Sequence, residues 1–365
     1  MRRRISIVLA AAVLSVCCIT AALAAPKYKS EYKLSLNSNQ ISELGRGAQM
    51  FVDLVKERTQ GQIIIKPYWG GQLFSGKATN ELLLMKQNIG DFSLSSFINW
   101  APQYTPGNIF LLPWFITSYP DKYKAIDALE HGKAGGMLAK EVRDNFSLHI
   151  LAWSESGARE LTNNKKTITK PEDIAGLKIR VVGSPLFLDI FNALGGNPMN
   201  ISMAETLTAL QQGTVDGQEN PYSVIQARKI YEFQKYLTEW SYNMDPFFYT
   251  VHDDVWKSFP EDIQKIIRES AEEAAAFSKA LVRLSLDDGS SEKYLKAKGL
   301  YPEGRLEATN PREFFRQHGV EITILTPEQI KVFREKVQPV FDKWVEKIGT
   351  DLYKAAKEDM DAVKY

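Results

Sequence analysis

Tyr32-Lys33-Leu34-Ser35-Leu36 alternates apolar and polar side chains as a strand does, and Ser42 to Arg58 follows with apolar residues at helical spacing. Gln62 to Pro67 is β-branched, Thr79 to Gln87 reads as a second helix, and Asp91 to Ser95 as a third strand. This β-α-β-α-β order predicts a mostly parallel sheet with helices on both faces, and ligands collect at the carboxyl ends of such strands.

Further along, His149 to Trp153, Lys178 to Val182 and Pro198 to Ile201 read as strands of a second sheet, with a helix over Pro185 to Leu194. Lys235 to Ser241 and Phe247 to His252 are again strand-like and are expected to carry the chain back to the first sheet. The fold class is therefore α/β in two lobes. Residues 26–150 and about 238–260 would form the first lobe, and 151–237 the second.

Pro260 suits a helix start, and the helical pattern continues to about Lys298. Unbroken, the segment 260–298 would approach roughly 60 Å and lie across both lobes. A break near Asp287-Asp288-Gly289-Ser290-Ser291 would leave two shorter helices. Tyr301 to Gln317, with Pro302, Gly304 and Pro311, reads as a surface excursion. Val320 to Leu325 is strand-like, and Thr326-Pro327-Glu328-Gln329 has capping-box spacing at the head of a helical tail. The segment 299–365 is expected to pack on the lobes.

At the other end, Arg2, Arg3 and Arg4 precede an apolar run from Ile5 to Leu23 that closes on Ala22-Leu23-Ala24. Residues 1–25 thus predict a cleaved export signal and a soluble exported protein. A signal anchor is the competitor, the run being close to the roughly 20 residues that span a bilayer. Both cysteines, Cys17 and Cys18, fall inside this segment, so disulfides and thiolate metal sites are not expected in the mature chain. His131, His149, His252 and His318 are scattered, and no metal or other cofactor is predicted. Removing three arginines from 45 basic against 44 acidic residues leaves 42 against 44, which gives no basic footprint for nucleic acid.

Two segments resemble catalytic motifs and fail at one residue each. Gly71-Gln72-Leu73-Phe74-Ser75-Gly76-Lys77-Ala78 is close to a phosphate-binding loop, but Ala78 stands where a hydroxyl should hold magnesium. Ser154-Glu155-Ser156-Gly157 lacks the leading glycine of a nucleophile elbow. An enzyme is not predicted.

Three stretches in order carry a more specific likeness. They are Gly176-Leu177-Lys178-Ile179-Arg180-Val181, Glu205 through Gly213, and Val215-Asp216-Gly217-Gln218-Glu219-Asn220-Pro221. With Tyr231 through Thr238, Gly71-Gln72-Leu73 and Leu112-Pro113-Trp114-Phe115, the chain resembles the DctP-like solute-binding proteins of TRAP transporters, the tripartite ATP-independent periplasmic type. The resemblance covers most of the mature chain. It implies a periplasmic binding protein fold whose lobes close over an organic acid, delivery to the membrane subunits, and transport driven by an ion gradient. A monomer is expected. An ABC-type binding protein, a periplasmic enzyme acting on an organic acid, and a partner of a receptor kinase are the rival readings.

For the site, the resemblance makes Arg180 the carboxylate anchor, and chemistry agrees, because a planar guanidinium meets a carboxylate with two parallel bonds. Asn220 would be a second polar contact, with a plain helix N-cap as its alternative, and Arg159 a second cleft arginine or a support for the first. Sialic-acid-binding members carry a glutamate, an aromatic and a histidine where Ser96, Met203 and Tyr242 stand here. These three positions are expected to line a less polar distal pocket. Trp153, Trp100 or Trp114 would favour an aromatic or hydrophobic monocarboxylate if one lined the cleft, a hydroxy or sugar acid remaining the rival. Gln40 and Asn39 could supply polar contacts to either.

Overall fold

The computed structural model describes residues 28–365, so the expected signal segment 1–25 lies outside the described residues. The first strand, β1 (Tyr32–Leu36), begins and ends where the alternation does. Ser42 caps the helix Glu43–Arg58 by accepting from the Gly45 N–H, as its hydroxyl and position predict. Strands β2 (Ile65–Tyr68) and β3 (Phe92–Ser96) flank β1 in parallel.

The next strand, β4 (Leu148–Asn163), is 16 residues long, far longer than the five expected, and it serves both sheets. The second sheet continues with β5 (Lys178–Val181), β6 (Asn197–Asn200), β7 (Gly217–Pro221) and β8 (Tyr236–Glu239). The first regains β9 (Met244–His252), and β10 (Glu321–Ile324) comes from the C-terminal segment. Residues 148–158 of β4 pair antiparallel with β9, which pairs with β3. Residues 159–163 pair with β7, and 161–163 also with β8. The boundary between the sheets therefore falls inside one strand, at Ala158/Arg159, and not at 151. Irregularities at Ile150/Ala152 and Glu155/Gly157 bend β4 there, and Gly157 takes φ +103°, a conformation open to glycine.

Strand β8 does not return the chain to the first sheet. It pairs with β4 and, in parallel, with β10 in the second, and the crossing comes only after it, before β9. Strand pattern alone marks β8 as extended and is silent about its partner.

The helix predicted to reach Lys298 stops at Arg283 and resumes as Ser290–Ala297. The Asp287 carboxylate accepts from the N–H groups of Gly289 and Ser291, and Gly289 sits at φ +90°. Local side-chain bonds and a left-handed glycine outcompete helix continuation. The 23-residue helix Glu261–Arg283 still lies along β4 and helix Glu43–Arg58. Its Ile263, Ile267, Ala271 and Ala274 bury themselves beside Leu34, Phe51, Phe92 and Tyr249. Each large apolar side chain so covered contributes about 1.5–3 kcal/mol before entropy is counted.

The 301–317 excursion carries structure of its own. It holds two short helices, Leu306–Thr309 and Pro311–Gln317, and Phe315 is buried against Tyr222 and Tyr231 of the second lobe. Thr326 and Gln329 form the capping box their spacing predicts. The two C-terminal helices then pack on the lobes, Pro327–Ile348 against Pro185–Ala193 and Thr350–Asp361 against Lys122–His131 and Lys133–Phe146. No helix among the described residues is long and apolar enough to cross a membrane.

Candidate functional site

A cavity of about 310 Å³ opens where the carboxyl ends of the parallel strands of both sheets converge. Asn37 and Asn39 after β1, Ser96 at the end of β3, Arg180 on β5, Met203 after β6 and Asn220 on β7 all line it. Two elements no motif pointed to also contribute, Asp245 of β9 and Arg228 beyond helix Tyr222–Ala227. No histidine or cysteine lines it, and no cluster of metal-ligating side chains occurs among the described residues.

Arg180 and Arg159 face this space in opposite electrostatic conditions. The Arg180 side chain is 1% exposed, and its Nε donates to the Ile201 carbonyl at 2.8 Å. Among the described residues it has no ion-pair partner. Burial lowers its pKa to about 10, the charge of Glu219 partly opposing the shift. It stays cationic at neutral pH, buried and without a direct ion pair among the described residues.

Arg159 is instead saturated. Its Nε and Nη2 donate to the two carboxylate oxygens of Glu219 at 2.5 and 2.9 Å, and its Nη1 to Asp245 Oδ2 at 2.9 Å. Nη2 also reaches Asn220 Oδ1 at 3.1 Å.

The family called bacterial extracellular solute-binding protein, family 7, matches residues 35–299. The chain belongs to this family. It is a TRAP-type, DctP-like solute-binding protein. A Ralstonia eutropha TRAP periplasmic solute-binding protein, solved with bound (S)-2-acetolactate, is 40% identical, with a TM-score of 0.82 over 92% of this chain and 100% of that one. The sugar-acid-binding protein of Advenella mimigardefordensis, solved with galactonate, is 26% identical, with a TM-score of 0.77 over 91% and 97%. A C4-dicarboxylate-binding periplasmic protein of Shewanella loihica is 27% identical, covering 90% of this chain and 89% of its own.

Within this TRAP solute-binding protein, six of the residues expected from sequence share the cavity: Arg180, Asn220, Arg159, Ser96, Met203 and Asn39. Asn220 is not a helix N-cap, since Pro221 takes that position. Its amide lies between Arg159 and Gln218, which orients it. Ser96 caps the short helix Phe97–Trp100 and donates to Asp245 Oδ1 at 2.6 Å. Burial raises the pKa of Asp245, with Arg159, Ser96 and Ser156 holding the carboxylate against that shift.

Three expected residues stand outside the lining. Tyr242 is fully buried behind Glu219, to which it donates at 2.7 Å, with its ring against Phe187 and Trp240. Trp153 packs on Phe97, Phe110 and Phe248 instead of facing the cleft. Gln40 is exposed, while its neighbours Asn37, Ser38 and Asn39 turn inward. Trp100 and Trp114 are core residues, so no tryptophan wall exists and Phe247 is the aromatic that lines the cavity.

The glycine-rich segment that imitates a phosphate loop contributes Gly76, Lys77 and Ala78 to the lining, and Thr79 follows them. Glu43, at the first turn of its helix, also faces the cavity, and burial pushes its carboxyl up to about 7 against the pull of Arg46. No sequence signal marked Arg228 or Asp245, because each is an ordinary polar residue until the lobes meet.

Proposed function

We propose that this TRAP solute-binding protein captures a short organic acid and delivers it to the membrane subunits, with Arg180 anchoring the carboxylate. The observation that carries this is a buried guanidinium facing a cavity without a carboxylate partner, an arrangement whose desolvation cost a bound acid offsets. Asn220, held by Arg159, is placed to add a directed amide contact, and closure of the lobes strengthens both contacts by excluding water.

The absence of tryptophan from the lining favours an oxygen-bearing acid over an aromatic monocarboxylate. Binding of (S)-2-acetolactate by the 40%-identical relative supports the same class. Export through residues 1–25 and an ion gradient as the energy source complete the reading, and the protein turns nothing over.

The test is to release and identify by mass spectrometry whatever copurifies, then titrate short hydroxy and oxo acids into wild type and Arg180→Ala. Loss of roughly 2–5 kcal/mol of affinity, about 30-fold or more, is expected in the variant. Undiminished binding there, or chemical conversion of the acid on long incubation, would overturn the proposal.

A further inference from the structure

The third arginine of the cavity, Arg228, is as distinctive as Arg180. Arg228 follows helix Tyr222–Ala227 of the second lobe and reaches across to the first, where its Nη2 donates to the Asn37 carbonyl at 2.9 Å. Beside it, Asn39 Nδ2 donates back to the Ala227 carbonyl at 3.2 Å. Of the five N–H groups a guanidinium offers, this bond uses one. Among the described residues no carboxylate pairs with Arg228, and no other hydrogen bond takes it up.

A purely mechanical latch between lobes does not need this side chain. A neutral donor could hold one carbonyl without bringing a positive charge out of water. Arg228 and Arg180 line one shared space, and partial burial lowers the pKa of Arg228. Two guanidiniums lining about 310 Å³, neither with an ion-pair partner among the described residues, ask for a ligand with two acceptor groups.

We infer that Arg228 is a specificity-determining residue that binds a second oxygen acceptor of the ligand, an oxo or carboxylate oxygen distal to the carboxylate held by Arg180. The inference rests on the carboxylate reading above and deepens it: the substrate class is a short acid with an oxygen acceptor at each end. The same side chain, fixed to Asn37 across the cleft, couples occupation of that subsite to closure.

Three acids on one carbon skeleton separate the possibilities: 2-hydroxy-2-methylbutanoate without a distal acceptor, 2-acetolactate with a distal oxo group, and 2-methylmalate with a distal carboxylate. Isothermal titration of wild type is expected to favour at least one oxygen-bearing acid over the first by roughly 10- to 100-fold, the worth of a hydrogen bond to a charged group. Which of the two is preferred identifies the acceptor.

In Arg228→Met that ratio collapses toward one, and in Arg228→Lys part of it returns. Thermal unfolding confirms that both variants are folded, and if the methionine variant is not, the lysine variant carries the test through a ratio below that of wild type. A wild type that does not discriminate, or variants that weaken all three acids by one common factor, would overturn the inference and leave the carboxylate reading intact. Failure of wild type to bind any of the three would overturn both.

Discussion

Arg159 and Tyr242 meet on a single atom, Oε2 of Glu219, which accepts from Arg159 Nε at 2.5 Å and from Tyr242 Oη at 2.7 Å. The buried carboxylate neutralises Arg159, whereas Arg180 keeps donors to spare.

Tyr242→Phe therefore acts on stability and not on recognition. Losing a bond to a buried charge costs roughly 1.5–3 kcal/mol. The melting temperature should drop, while the dissociation constant for the acid moves by less than about threefold. A large loss of affinity in a folded variant would place Tyr242 back in the site.

Gly45→Ala should destabilise, although alanine in a helix normally gains about 1 kcal/mol over glycine. A Cβ there would stand 1.9 Å from the Asn39 carbonyl oxygen, so the turn carrying Asn37 to Asn39 must move. Both the melting temperature and the acid affinity are expected to fall, and a more stable variant would contradict the packing.

Glu81 is fully buried, with Ser35 Oγ donating to its Oε1 at 3.2 Å and no hydrogen-bond partner for Oε2 among the described residues. Burial pushes its pKa up to about 8, against the usual ~4.3 in an unfolded chain. Between these values the folded state holds a proton that the unfolded state has released, so stability falls as pH rises through the window. Glu81→Gln should melt higher than wild type at pH 8.5, with the difference vanishing near pH 4. Parallel melting curves across that range would show that Glu81 is not the source.

Arg312 ties the 301–317 segment to the second sheet through two bonds to Glu239, at 2.8 and 2.6 Å. Burial alone would raise Glu239, and Arg312 outweighs it and holds the carboxylate low. Arg312→Ala leaves Glu239 facing Glu160 without that cation, at a cost of roughly 1–3 kcal/mol. Faster proteolysis within 301–317 and a lower melting temperature are the readouts, and wild-type values for both would assign the anchoring to Phe315 alone.

Much of the fold was legible because its signals are short-range. Alternation marked β1, a serine hydroxyl marked the cap at Ser42, and capping-box spacing marked Thr326 with Gln329. The family was legible through an ordered series of motifs. The misreadings share one cause. Tyr242, Trp153 and β8 have the right local character, but their partners lie at Glu219, Phe248 and β10, which no local pattern names.

From its residues alone this chain fixes a two-sheet α/β fold and a family, because strand period, capping chemistry and motif order are local properties. Charge compensation is not local. Arg159 and Arg180 read alike along the chain, and only folding brings Glu219 and Asp245 onto one and leaves the other open. Arg228 enters the cavity on the same terms, by reaching a carbonyl 191 residues away across the cleft.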